Sequence, residues 1–191
     1  QGLSGLEEAE NVLDLGNSGT TTRLMLGILA GQDFYSVVSG DNSLRSRPMA
    51  RVTKPLAKMR AKFYGRDTAN LLPITVIGGQ RLKAISYQSP VASAQVKSSL
   101  LLAGLYADGI TEVIEPAKSR DHTERMLEYF GADISVDALS IKINPTSKLI
   151  GKEVIVPGDI SSAAFLMVAA MITDNSEITI KNVGINPTRA G

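Results

Sequence analysis

Three apolar segments of similar make-up recur along the chain: Leu24-Met25-Leu26-Gly27-Ile28-Leu29, Leu100-Leu101-Leu102-Ala103-Gly104-Leu105 and Leu166-Met167-Val168-Ala169-Ala170-Met171. Their first residues stand about 76 and 66 positions apart, a loose period near 70 that is far longer than a solenoid repeat. Small hydroxyl residues precede each segment: Ser18, Thr20, Thr21 and Thr22, then Ser93, Ser98 and Ser99, then Ser161 and Ser162. After each comes a polar turn and a β-branched strand, at 35–38, 111–114 and 177–180. Segments apolar nearly all round predict helices inside a domain, with sheets about them. Interleaved charges predict an amphipathic second helix over 56–63 and again over 127–134. Pro48 suits a first helical position, whereas Pro55 implies a kink or a late start. Further strands are predicted at 11–15, 73–77 and 139–143. Each unit therefore reads βαβαββ, and the fold class is α/β (α+β). Units related by rotation would gather their helix N-termini at one end, an electropositive floor for anions.

Residues 16–24, Gly-Asn-Ser-Gly-Thr-Thr-Thr-Arg-Leu, give that floor a candidate site. Small residues at Gly16, Ser18 and Gly19 allow a tight turn and close approach of a ligand to the backbone. Ser18 or Thr20 can cap the following helix, whose free N–H groups then face the ligand. Arg23 opposes the macrodipole of a helix start, which a bound phosphate or carboxylate would offset. Plain capping by Ser18, Ser93 and Ser161 is the alternative reading of the hydroxyl residues.

Composition narrows the function classes. A 43% apolar share supports a real core, and a net charge of +1 argues against nucleic acid or a membrane surface as partner. Any useful positive charge must be local. The chain has no cysteine and a single histidine, His122, which excludes disulfides, thiolate chemistry and a multi-histidine metal site. The longest apolar run, 163–172, is too short to cross a membrane and reads as a buried core helix. A soluble cytoplasmic protein is the expectation. Beginning at Gln1 and ending at Ala190-Gly191, the sequence reads as a piece of a longer protein.

The motif at 16–24 resembles the signature of the 5-enolpyruvylshikimate-3-phosphate synthase family, the target of glyphosate. Four more stretches agree in that family's order: 40–49 (Gly-Asp-Asn-Ser-Leu-Arg-Ser-Arg-Pro-Met), 93–98 (Ser-Ala-Gln-Val-Lys-Ser), 119–124 (Ser-Arg-Asp-His-Thr-Glu) and 157–164 (Pro-Gly-Asp-Ile-Ser-Ser-Ala-Ala). The resemblance implies two domains, each of three βαβαββ units whose buried parallel helices are surrounded by sheets, an inside-out barrel. Residues 1–156 then hold the second and third units of one domain, and 157–191 the crossover and the start of a unit of the other. The implied reaction moves the enolpyruvyl group of phosphoenolpyruvate to the 5-hydroxyl of shikimate 3-phosphate, releasing phosphate, in aromatic amino acid biosynthesis. No metal or organic cofactor is implied.

By the same resemblance, Gly19 and Thr20 line the phosphoenolpyruvate pocket and Arg47 pairs with that substrate. Ser93, Ala94 and Gln95 hold shikimate 3-phosphate, with Gln95 spanning both substrates and Arg120 a further contact. Asn17 and Arg23 are additional candidates, Arg23 equally readable as a brace of its loop. Glycine at position 19 implies the glyphosate-sensitive type. Lys97 reads as structural or peripheral, His122 as a helix-start residue and Asp159 as a helix cap. The family's catalytic acids and bases match no position here, so the second domain must supply them and the chain alone is expected to be inactive. Two rivals remain at this point. One is the enolpyruvyl transferase acting on UDP-N-acetylglucosamine, which usually carries a loop cysteine; the other is a non-catalytic anion-binding half-enzyme.

Overall fold

The computed structural model describes residues 5–146 and 148–190. They divide into two compact units, Gln1–Gly151 and Lys152–Gly191. The first runs β1 (Leu13–Asp14), α1 (Gly19–Ala30), β2 (Ser36–Ser39), α2 (Asn42–Arg45), α3 (Ala50–Lys58), β3 (Lys62–Gly65), α4 (Arg66–Ala69) and β4 (Leu71–Ile77). It continues through β5 (Ser86–Gln88), α5 (Ala94–Gly104), β6 (Thr111–Ile114), α6 (His122–Tyr129), β7 (Ile134–Asp137) and β8 (Ser140–Ile143).

Two four-stranded sheets result, ordered β1-β2-β4-β3 and β5-β6-β8-β7. In each, the first pair is parallel and the other two pairs are antiparallel. The same topology twice over is the βαβαββ repeat that the hydropathy pattern predicts. Alternation drives the sheets: Leu72, Ile74 and Val76 of β4 turn one face inward, fully buried.

Helices α1 and α5 pack side by side in the same direction. Thr20 and Arg23 meet Gln95, Gly27 lies against Ser99, and Gly31 lies against Tyr106. Leu26, Leu29, Leu100 and Leu101 form the core with Val38, Val113, Ile141 and Ile143 of the two sheets. The closeness depends on Gly27, where an added Cβ would stand 2.2 Å from the Ser99 carbonyl oxygen.

The amphipathic helices differ from expectation in their limits. Helix α3 starts at Ala50 and runs through Pro55, while residues 62 and 63 belong to β3. Its start is set from a distance: Asn70 accepts from the Met49 N–H through its carbonyl (2.8 Å) and from the Ala50 N–H through its side chain (3.0 Å). Helix α6 ends at Tyr129 because Gly131 turns left-handed (φ +84°) and the Ala132 N–H closes back on the Leu127 carbonyl. Ile134 accordingly opens β7 rather than closing a helix.

The second unit holds α7 (Ile160–Met171) and α8 (Pro187–Ala190). Asp159 caps α7 as expected, accepting from the Ser161 N–H, so Ser161 itself lies inside the helix and is not the cap. Two expectations fail here. The apolar helix is not buried, for Phe165 is 81% and Met171 83% exposed, and residues 177–180 form no strand. A helix apolar all round needs elements on every side, and a strand needs a partner edge. Residues 152–190 offer neither, their one ladder contact being the isolated bridge Gly158↔Val183. No helix among the described residues is long and apolar enough to cross a membrane.

Candidate functional site

Four loops leave the carboxyl ends of parallel strands and enter helices: 15–18 before α1, 40–49 before α3, 89–93 before α5 and 115–121 before α6. Ser18 caps α1, its hydroxyl accepting from the Thr21 N–H at 3.1 Å. The N–H groups of Gly19 and Thr20 open the helix without intrahelical acceptors and face outward from its positive end.

Arg23 lies one turn further in than a helix-start reading implies, as the fifth residue of α1. Side chains on a helix lean toward its N-terminus, so the guanidinium still reaches that end. It donates to the Gln95 side-chain oxygen (2.9 Å) and to the Pro48 carbonyl (3.2 Å), leaving a buried Nε with no partner. Burial, then the positive charges of Arg51 and Arg47, pull its pKa below the ordinary guanidinium value. Arginine nonetheless stays protonated at neutral pH. Gln95 completes the crossing between helices, its amide donating to the Thr20 hydroxyl at 2.7 Å.

Arg47 comes from the second loop. It donates to Asn17 twice, to the side-chain oxygen at 2.5 Å and the carbonyl at 3.3 Å, and to the Ser43 hydroxyl at 3.2 Å. Asn17 donates in turn to Asp41 at 2.7 Å. That bond, followed by the Leu44 N–H, holds the Asp41 carboxyl below the usual carboxylate range. A lowered folded value means this bracing is fully present at neutral pH and is lost only as the pH falls through it. Both guanidinium heads lie against Gly19: an added Cβ would be 3.0 Å from Arg23 Nη1 and 3.3 Å from Arg47 Nη1.

Asn17, Gly19, Thr20, Arg23, Arg47 and Gln95 therefore converge. Ser93 and Ala94 stand beside Gln95 at the start of α5, and Ser93, although at the cap position, makes no capping bond. Arg120 is exposed in the fourth loop, with no hydrogen bond or ion pair to this cluster among the described residues. Ser43, Asp41 and Arg51 were not legible as parts of the cluster. The 40–49 motif contains the first two, but only the folded loop reveals which of its side chains brace Arg47. The assembly is suited to gripping an anion with two guanidinium groups and a helix end. Of the carboxylates at this end of the first sheet, Asp14 accepts from the Gly16 N–H, and Asp41 accepts from the Asn17 amide and the Leu44 N–H.

The sequence profile of the family described as EPSP synthase (3-phosphoshikimate 1-carboxyvinyltransferase) matches residues 1–191. This chain belongs to that family. Among curated EPSP synthase relatives, the 3-phosphoshikimate 1-carboxyvinyltransferase of Desulforamulus reducens is 62% identical over all of this chain and 44% of its own length. The Bacillus subtilis protein of the same name is 58% identical with the same coverage. A solved EPSP synthase from Acinetobacter baumannii superposes with a TM-score of 0.86 at 49% identity, over 97% of this chain and 42% of that one. The structure thus has the enolpyruvyl transferase fold, and the chain spans less than half the length of its EPSP synthase relatives.

Proposed function

We propose that the protein carrying this chain transfers the enolpyruvyl group of phosphoenolpyruvate to the 5-hydroxyl of shikimate 3-phosphate and releases phosphate, in the cytoplasm. The observation that carries this reading is the pair of bonds from Gln95 to Arg23 and Thr20, which joins two anion-binding helix starts into one site. Phosphoenolpyruvate sits over Gly19 and Thr20, its negative charge paired with Arg47 and backed by Arg23. Shikimate 3-phosphate takes the Ser93 hydroxyl, the Ala94 N–H and Arg120, with Gln95 reaching both substrates. Asn17 positions Arg47. Electrostatic grip on two polyanions is this chain's share of the work.

Turnover needs a proton delivered to the methylene carbon of phosphoenolpyruvate. The 5-hydroxyl of shikimate 3-phosphate then attacks the neighbouring carbon and loses its proton. The tetrahedral intermediate so formed expels phosphate and gives up a methyl proton to restore the double bond. The family's catalytic acids and bases match no position in this chain, so those proton transfers are assigned to the second domain. Residues 1–156 are read as two units of one domain and 157–191 as the passage into the other. Family membership and the names of the relatives favour this substrate over UDP-N-acetylglucosamine. The full-length protein is expected to release phosphate from phosphoenolpyruvate only when shikimate 3-phosphate is present. Release that is independent of shikimate 3-phosphate, or no release at all, would refute the assignment.

Gly19 sets the depth of the phosphoenolpyruvate pocket and, on this reading, sensitivity to glyphosate. An alanine there presses on the far ends of two flexible side chains rather than on backbone, so the fold tolerates it. For Gly19→Ala we expect an unchanged melting temperature and a KM for phosphoenolpyruvate raised about tenfold, from roughly 1.4 kcal/mol of misplaced charge pairing. Inhibition by glyphosate should weaken by at least as much. Steady-state kinetics at saturating shikimate 3-phosphate check both.

A further inference from the structure

Lys97 is the fourth residue of α5, and its side chain is only 2% exposed. Two positions apart on a helix, Gln95 and Lys97 point to opposite sides. Gln95 reaches α1, and Lys97 reaches the other way to α6. Its Nζ is 2.8 Å from Glu115 Oε2 and 2.6 Å from Glu124 Oε1, both carboxylates being buried. Glu115 immediately follows β6 and Glu124 lies in the first turn of α6, so one ammonium grips the loop 115–121 at its two ends. The second oxygen of Glu115 accepts from the Ser119 hydroxyl, next to Arg120. A parallel tie, Ser98 Oγ to Thr123 Oγ1 at 2.6 Å, joins the same two helices.

Apolar packing of equal volume would hold the helices together at least as firmly as a buried ion cluster. What the clasp adds is direction, because a hydrogen-bonded ammonium fixes where each carboxylate stands. We propose that Lys97 is a positioning residue for shikimate 3-phosphate: by pinning the 115–121 loop to α5 through Glu115 and Glu124, it sets Arg120 at the right distance from Ser93, Ala94 and Gln95. This rests on the substrate reading above. Apart from Gln95, which reaches both substrates and is held to α1 by Thr20 and Arg23, the residues assigned to phosphoenolpyruvate hang on α1 and the 40–49 loop, away from the clasp.

The test uses the full-length enzyme and the variant Lys97→Met/Glu115→Gln/Glu124→Gln, which removes all three charges at similar volume. The KM for shikimate 3-phosphate should rise about tenfold, the KM for phosphoenolpyruvate should stay within about twofold, and kcat should change little. A role in stability alone would lower the melting temperature without splitting the two KM values. Equal changes in both, or none, overturn the proposal. Should the triple variant fail to fold, Glu124→Gln must show the same split at about threefold. Hydrogen exchange in the 115–121 segment reads the clasp without substrate. It should quicken about tenfold in the variant, and unchanged exchange overturns the clasp even if the substrate assignment is wrong.

Discussion

Replacing Arg47 with alanine in the full-length protein is expected to cut kcat/KM for phosphoenolpyruvate on the order of a hundred- to a thousandfold, the loss typical of one preorganised charge-stabilising donor. The side chain is held before any ligand arrives, by Asn17 at 2.5 and 3.3 Å and Ser43 at 3.2 Å. A guanidinium already fixed forfeits little entropy when an anion binds, so its removal costs nearly the whole interaction. Arg47→Lys should recover little, because an ammonium cannot bond Asn17 and Ser43 while presenting a planar fork to phosphate or carboxylate. The KM for shikimate 3-phosphate should move far less, since its candidate contacts lie on α5 and the 115–121 loop. Unaltered kinetics for both substrates would remove Arg47 from the site.

Gly27→Ala should be the most damaging small substitution in the helix pair. The new methyl would lie 2.2 Å from the Ser99 carbonyl oxygen and 3.0 Å from the Ser99 carbonyl carbon. Backbone cannot swing aside as a side-chain tip can, so α1 and α5 must move apart. Overpacking of this kind costs about 3 kcal/mol, read as a lowered midpoint in urea unfolding. Adding Ser99→Ala should restore little, because it deletes the hydroxyl and leaves the carbonyl in place. Parting the helices would also stretch the bonds from Gln95 to Thr20 and Arg23, so substrate affinity should fall along with stability. A Gly27→Ala protein of wild-type stability would show that the two helices are not held at this spacing.

Much of the fold was legible because it rests on local periodicity. The all-round apolar runs became α1, α5 and α7, and the alternating and β-branched runs became β2, β4, β6 and β8. The limits of the second helices were less legible: Asn70 fixes the start of α3 from twenty residues away, and Gly131 stops α6. Burial was also misjudged where it depends on company. The apolar segment of α7 predicts a core helix, yet only Ala163 of it is buried in residues 152–190.

Of the residues that converge at the candidate site, Asn17, Gly19, Thr20, Arg47 and Gln95 each belong to a recognisable local sequence. That Gln95 bonds to Thr20 and Arg23 is not legible locally, because 75 and 72 residues separate them and only the packing of α1 on α5 closes the gap. Lys97 illustrates the same division most sharply. Its sequence neighbours fix its place on a helix; only the assembled sheets and helices decide that it lies buried between Glu115 and Glu124. Sequence by itself determined the repeated unit, the starts of α1 and α5 and the residue types able to meet anions, because propensity and periodicity act over a few residues. Tertiary structure alone decided which of those residues face one another, because side-chain contacts between distant segments depend on how whole elements pack.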